Sequence, residues 1–365
     1  MNDYKRIGDY IREVNVRNRE LRVTNLMGIS MTKKFRPSTS NVVGTDLSNY
    51  KIVSKNIFVF DTMSVIRVHK VPIAINNTDE PIIVSPAYHT FEVIDKNTLM
   101  PEYLMMWFCR PEFDRYADFK SDSAIRGGYG WDELCDTIID VPTLARQREI
   151  VAEYETLTRR IRLNEQMIAK LEETAQALYR KMFVDGIDKE NLPEGWRRGK
   201  LGEVAVIKAG GDKPKEFSEK KTDIYNIPVY ANGIENKGIF GYTSKPVVKK
   251  KSITISARGT IGYCFFRKQP YVPIVRLIVI IPNNEVMTQY LYYYLDSSSI
   301  KGSGSVQSQL TVPDMEDLQI LIPSNQIMQE FHEEVEIIDN SIELREQENE
   351  KLTELQSLLL ARMGK

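Results

Sequence analysis

The sequence predicts an α+β fold: two mixed α/β domains and two long helices, assembled as an internal repeat. Two observations carry it. Ile161-Arg-Leu-Asn-Glu-Gln166 recurs as Ile342-Glu-Leu-Arg-Glu-Gln347, an offset of 342 − 161 = 181. The same offset relates Lys170-Leu171 to Lys351-Leu352, Leu178 to Leu359, Met182 to Met363 and Pro142 to Pro323. Each repeated segment carries an unbroken heptad-type stripe, whereas the sequence before it holds β-branched and aromatic runs bounded by Gly, Pro and Lys. At 365 residues the chain exceeds one ordinary core and suits two domains of roughly 100–150 residues.

The first globular segment spans 1–141. Its runs at 56–60, 64–68 and 90–93 read as strands, and 101–108 reads as a short helix. Residues 142–183 read as a long helix whose stripe is Ile150, Tyr154, Leu157, Ile161, Asn164, Ile168, Leu171, Ala175, Leu178 and Met182. Alternating steps of three and four keep such a stripe against a partner helix. No Pro or Gly interrupts it, and Pro142 stands just before it, where proline is tolerated. Residues 184–195 have the Gly, Pro and Asp content of a linker.

The second globular segment, 196–322, offers strands at 252–256, 262–266 and 275–281 and a helix at 286–295. Residues 323–365 form the second helix, with the stripe Phe331, Val335, Ile338, Ile342, Arg345, Asn349, Leu352, Gln356, Leu359 and Met363. Ile150, Leu157, Ile161, Ile168, Leu171 and Leu178 on one helix, and Ile338, Ile342, Leu352 and Leu359 on the other, are the expected seam. Asn164, Arg345, Asn349 and Gln356 either mark weak points near solvent or fix register. The outer face of the second helix is acidic, including Glu333, Glu334, Glu336, Asp339, Glu343, Glu346, Glu348, Glu350 and Glu354, and is expected to be solvated or to dock protein.

The upstream halves repeat only loosely. Ile7-Gly8-Asp9 resembles Leu201-Gly202-Glu203, but Gly8 to Pro142 is 142 − 8 = 134 positions and Gly202 to Pro323 is 323 − 202 = 121. Edges match and interiors diverge.

Net charge is −1, but charge is segregated. Residues 1–36 hold nine basic against four acidic residues, and 208–251 hold ten lysines against five acids. Such basic stretches supply phosphate contacts; for either alone, a solvated lysine-rich face is the plain alternative. The candidate nucleic-acid-binding residues are Lys33, Lys34, Arg36 and Arg126 in the first segment. In the second they are Lys208, Lys213, Tyr230, Asn232, Arg258, Thr260, Ser303 and Gln307. The run Lys208-Ala-Gly-Gly-Asp-Lys213 sets bare backbone N–H groups beside lysines, and the Asn232 amide suits an adenine edge. Loops 121–127 and 302–307 are polar and glycine-rich at matching points late in each segment.

Catalytic signatures are missing. His69, His89 and His332 fall in no metal-ligand spacing and read as structural or surface residues. There is no GxxxxGK[ST] phosphate loop and no Asn/Asp-Pro-Pro-aromatic tetrapeptide. Cys109, Cys135 and Cys264 are sparse and unpaired in sequence, and no apolar run approaches the ~20 residues of a membrane span. A cytoplasmic protein without enzymatic activity is expected.

Leu192-Pro-Glu-Gly-Trp-Arg-Arg-Gly-Lys-Leu-Gly-Glu203, Ile227-Pro-Val-Tyr-Ala-Asn-Gly233 and Ile255-Ser-Ala-Arg-Gly-Thr-Ile-Gly262 resemble the target-recognition domains of specificity subunits in type I restriction-modification systems. Val141-Pro142, Arg146-Gln147-Arg-Glu-Ile150-Val151 and the helix after them resemble the repeated central region of that family. The resemblance implies that the helices pack as an antiparallel coiled coil, giving a pseudo-twofold repeat, and that each domain binds half of a bipartite, asymmetric double-stranded DNA target. It implies two docked methyltransferase subunits using S-adenosylmethionine, and restriction subunits using ATP with Mg in the full complex. Two departures stand out. The first domain has no clear copy of Ser256-Ala-Arg-Gly-Thr-Ile-Gly262, the nearest in position being Phe60-Asp-Thr-Met-Ser64; and Met328, not glutamine, matches Gln147. A related restriction system in which methylation and cleavage share one partner chain, and a coiled-coil adaptor with two peptide-binding domains, remain the alternatives.

Overall fold

The structure, a computed structural model, describes residues 5–38, 44–62, 69–123, 129–298 and 309–363. They form two compact units, Met1–Asn164 with Gln347–Lys365, and Glu165–Glu346. The chain passes from one unit to the other inside each long helix.

The first unit contains β1 (Lys5–Arg6), β2 (Ile11–Glu13), β3 (Met27–Ile29), β4 (Phe35–Pro37), β5 (Lys51–Val53), β6 (Phe58–Phe60), β7 (Ile73–Ile75), β8 (Ile82–Val84) and β9 (His89–Val93). Helices α1 (Pro101–Phe108), α2 (Pro111–Ser123) and α3 (Trp131–Asp136), strand β10 (Ile138–Ile139) and the start of α4 (Leu144–Phe183) follow. The second contains β11 (Arg197–Lys200), α5 (Leu201–Val204), β12 (Ala205–Ala209), β13 (Ile227–Tyr230), β14 (Ile239–Thr243), β15 (Ser252–Ile255), β16 (Cys264–Arg267), β17 (Val272–Pro273) and β18 (Ile278–Pro282). It continues through α6 (Met287–Ser297), α7 (Val312–Glu316), β19 (Gln319–Ile322) and the start of α8 (Asn325–Arg362).

The interiors that diverge in sequence share one sheet. In the first unit an antiparallel sheet runs β2-β9-β6-β7, and in the second β12-β18-β15-β16, so corresponding strands occupy corresponding places. The edge pairs correspond too, β1 with β10 and β11 with β19. In each unit this sheet's strands share a core with the helix that follows it and with segments of α4 and α8. Asp61 and Thr62 follow β6 as the Ser256–Gly262 run follows β15, and residues 63–68, including the expected strand at 64–68, lie outside the described residues.

All ten positions of each stripe are buried or half-buried, while most of their helix neighbours on α4 are exposed. In the first unit the two helices are antiparallel: Ile150 and Val151 share a core with Leu360 and Met363, and Gln356 Nε2 donates to Thr158 Oγ1 at 2.7 Å. Asn164, 1% exposed, donates through Nδ2 to Asn349 Oδ1 and to Glu348 Oε2, each at 2.9 Å. Two polar stripe residues, Asn164 and Asn349, therefore meet across the helices, an arrangement that penalises a slipped register, whereas Arg345 bonds Ser341 on its own helix. In the second unit the last turns of α4 meet the first turns of α8, with the Phe183 and Phe331 rings 5.0 Å apart and nearly perpendicular.

Position 147 differs between the repeats for a packing reason. Gln147, fully buried, accepts from Met100 N and donates to Thr98 O and Pro142 O, tying the N-terminus of α1 to α4. Met328, 2% exposed, fills the matching place with apolar volume, while Gln329 is exposed.

Two expectations need correction. The acidic face of α8 is partly internal to its own unit: Glu346 pairs with Lys237, Glu336 with Lys251 and Asp339 with Lys268. Those carboxylates anchor the basic domain to the helix. The strand expected at 275–281 begins only at Ile278, because Val275 and Arg276 adopt φ of 55° and 61° and turn the chain.

Candidate nucleic-acid interface

In the second unit, loops scattered over a hundred residues of sequence are bonded together. Gly211 N donates to Pro273 O, Val275 N to Gly211 O at 2.9 Å, and Arg276 N to Gly210 O at 3.2 Å. A Cβ on Gly210 would lie 2.8 Å from the carbonyl carbon of Pro273, so only glycine permits this approach. Asn232 joins the next loop: its Nδ2 donates to Val275 O at 2.8 Å and its Oδ1 accepts from Ala257 N at 2.7 Å. Ala257 O in turn accepts from Leu310 N, and Arg258 Nε donates to Gln309 Oε1 at 3.1 Å. The loops singled out from sequence at 208–213, 230–233 and 256–262 thus converge, joined by 273–277 and 309–310.

The side chains on this edge differ in how far they are committed. Lys208 and Arg258 are exposed, and exposed Lys213 lies 3.5 Å above the Phe217 ring. Thr260 is half-buried, and its hydroxyl has no hydrogen-bond partner among the described residues. Asn232 spends its amide on two loops, so it holds the edge together rather than offering a bidentate face to a base. Tyr230 is half-buried with the Arg267 guanidinium 3.5 Å from its ring centre. Arg267 is 4% exposed, donates to Thr254 Oγ1 and Lys237 O, and has its pKa lowered by burial. It supports Tyr230 from within. Ser303 and Gln307 lie outside the described residues.

In the first unit several side chains of the basic stretch already have protein partners, although most of them are exposed. Arg6 pairs with Asp136, Arg12 with Glu92, Arg22 with Glu20, and Arg17 donates to Asn49 O. Lys33 is the clearest correction. It is 8% exposed, and its Nζ donates to Asp114 Oδ1 at 2.7 Å and to Phe108 O at 2.6 Å. A buried ammonium committed to a carboxylate reaches no phosphate. Lys34 and Arg36 are exposed beside and on β4, and Arg126 lies outside the described residues.

Sequence reasoning missed Arg276, whose exposed side chain has no hydrogen bond or ion pair among the described residues, because the run at 275–281 that contains it reads as one strand. The histidines are held locally, His69 by Asp118, His89 by Glu13 and His332 by Gln289. Among the described residues no three His, Cys, Asp or Glu side chains are grouped to hold a metal, and no helix is long and apolar enough to cross a membrane.

The chain is similar to known proteins in sequence and in fold. Residues 193–354 match the family model described as the type I restriction modification DNA specificity domain. The chain is 37% identical over 139 residues to a putative type I specificity subunit of Mycoplasma pneumoniae, covering 38% of this chain and 42% of that protein. It is 27% identical over 378 residues to the type I restriction enzyme HindI specificity subunit of Haemophilus influenzae, covering 79% and 82%. It spans about half the length of the Mycoplasma relatives it matches. The crystal structure of a type I restriction-modification S subunit from M. genitalium shares the fold, with a TM-score of 0.59 at 16% identity over 100% of this chain and 97% of that one.

Proposed function

We propose, for a chain that is homologous to type I specificity subunits and carries their DNA specificity domain at residues 193–354, that it is the DNA-reading subunit of a type I restriction-modification complex. Each globular domain binds one half of a bipartite, asymmetric duplex target. The helices set the untouched spacer and dock methyltransferase subunits, and restriction subunits join the full complex. The chain itself is non-catalytic; S-adenosylmethionine, and ATP with Mg, belong to the partner subunits. The domain bounds for this reading are 1–141 and 196–322, with helices 142–183 and 323–365 and a linker at 184–195.

The observation that supports it best is the shared β2-β9-β6-β7 and β12-β18-β15-β16 order under divergent loops. Duplicated scaffolds with different edges suit two different half-sites. The two basic domains favour DNA over a peptide ligand for an adaptor.

The test is duplex binding by the chain purified with its methyltransferase partner, titrated against salt. Each neutralised phosphate contributes about 0.9 to the slope of log K against log salt, so a steep negative slope is expected. Removing Lys208 and Lys213 should lower it by about 1 each. A slope near zero for the wild type overturns the reading.

A further inference from the structure

Val275 and Arg276 are consecutive non-glycine residues in the left-handed region, at φ 55° and 61°. For a β-branched residue that conformation is an outlier, kept only where surrounding bonds over-determine it. Here they do: both N–H groups are taken by Gly210 and Gly211 carbonyls, and the Val275 carbonyl by Asn232 Nδ2. The effect is to turn both side chains out of the sheet. Val275 is 51% exposed, and Arg276 is exposed on the same loop edge as Arg258. Arg258 and Lys213 are each engaged by a neighbour, Gln309 and Phe217, whereas Arg276 is engaged by none among the described residues.

We infer that Arg276 is a base-reading residue of the second domain, presented on a rigid turn to a guanine edge of the DNA, with Asn232 as the residue that positions it. The inference rests on the reading of this domain as a DNA-specificity domain. An arginine pairs bidentately with guanine O6 and N7, and a backbone held by surrounding bonds preorganises it for that contact. A flexible lysine loop serves phosphate contact; three tethering bonds on a strained two-residue turn serve a contact with a fixed direction.

The test uses cells expressing the full chain with its methyltransferase partner, in which methylated sites across the genome define the target. Arg276→Gln and Arg276→Lys are compared with the wild type, with thermal unfolding as the folding control. Both variants should accept other base pairs at one G·C position of the second half-site, discrimination there falling about 10- to 100-fold, while the first half-site stays intact. Asn232→Ala should relax the same position with Arg276 present. An unchanged target, a uniform loss of methylation at every site, or complete loss by both folded variants would each overturn the assignment, the last two placing Arg276 in general affinity. If the wild type itself selects no target, the DNA reading fails instead.

Discussion

Asp114→Ala is expected to destabilise the first unit by about 3–5 kcal/mol, the cost of leaving a buried charge without its partner. Asp114 Oδ1 accepts from Lys33 Nζ at 2.7 Å and from Val71 N at 3.0 Å. Its loss strands the Lys33 ammonium against the Phe108 carbonyl and the Phe113 ring. The double change Lys33→Met with Asp114→Leu should recover much of the loss, since an apolar pair of similar volume avoids the desolvation of both charges. Denaturant unfolding followed by Trp107 and Trp131, both in this unit, reads the effect. The pair also carries a pH signature. Burial, outweighing Asp114, holds the Lys33 pKa below its usual 10.5. Between that lowered value and 10.5 the unfolded chain binds more protons, so this group makes stability rise with pH, and Lys33→Met removes the rise. If Lys33→Met instead lowered the salt slope of DNA binding and left stability alone, the burial of Lys33 would be wrong.

Phe331→Ala should cost the second unit about 3–5 kcal/mol. The ring is fully buried and meets Phe183 at 5.0 Å, Tyr293 at 5.9 Å and Tyr179 at 6.2 Å. It is therefore where α8, the end of α4 and α6 share one core. The same tyrosines are held in apolar surroundings, which push the Tyr179 pKa up to about 12. Trp196, 6.0 Å from Phe183, reports the unfolding of this unit. A loss below about 1 kcal/mol would mean that the helices and the domain pack as separate bodies.

The helical part of this fold was legible in sequence because helix periodicity is local: a three-four stripe faces one way whatever lies beyond it. The common sheet was legible only as separate strands. The runs at 56–60, 90–93, 252–256, 262–266 and 275–281 overlap β6, β9, β15, β16 and β18, but their shared pairing order depends on long-range contacts, and the short β2, β7 and β12 carry little pattern of their own. The site was legible in part. Glycine and lysine marked the 208–213 loop, but a charge count cannot see that Lys33 meets a carboxylate 81 positions away. Nor does a run such as Val275-Arg-Leu-Ile-Val-Ile-Ile281 reveal that its first two residues turn, because that turn is imposed by Gly210, Gly211 and Asn232 from distant segments.

The most direct measurement of the central claim is the methylated target itself, mapped before and after residues 1–141 are exchanged for those of a homologue. Two half-sites of different sequence, separated by a fixed spacer, are expected, and the exchange should rewrite one half while leaving the other half and the spacer unchanged. A single uninterrupted target, or a change in both halves, would contradict it.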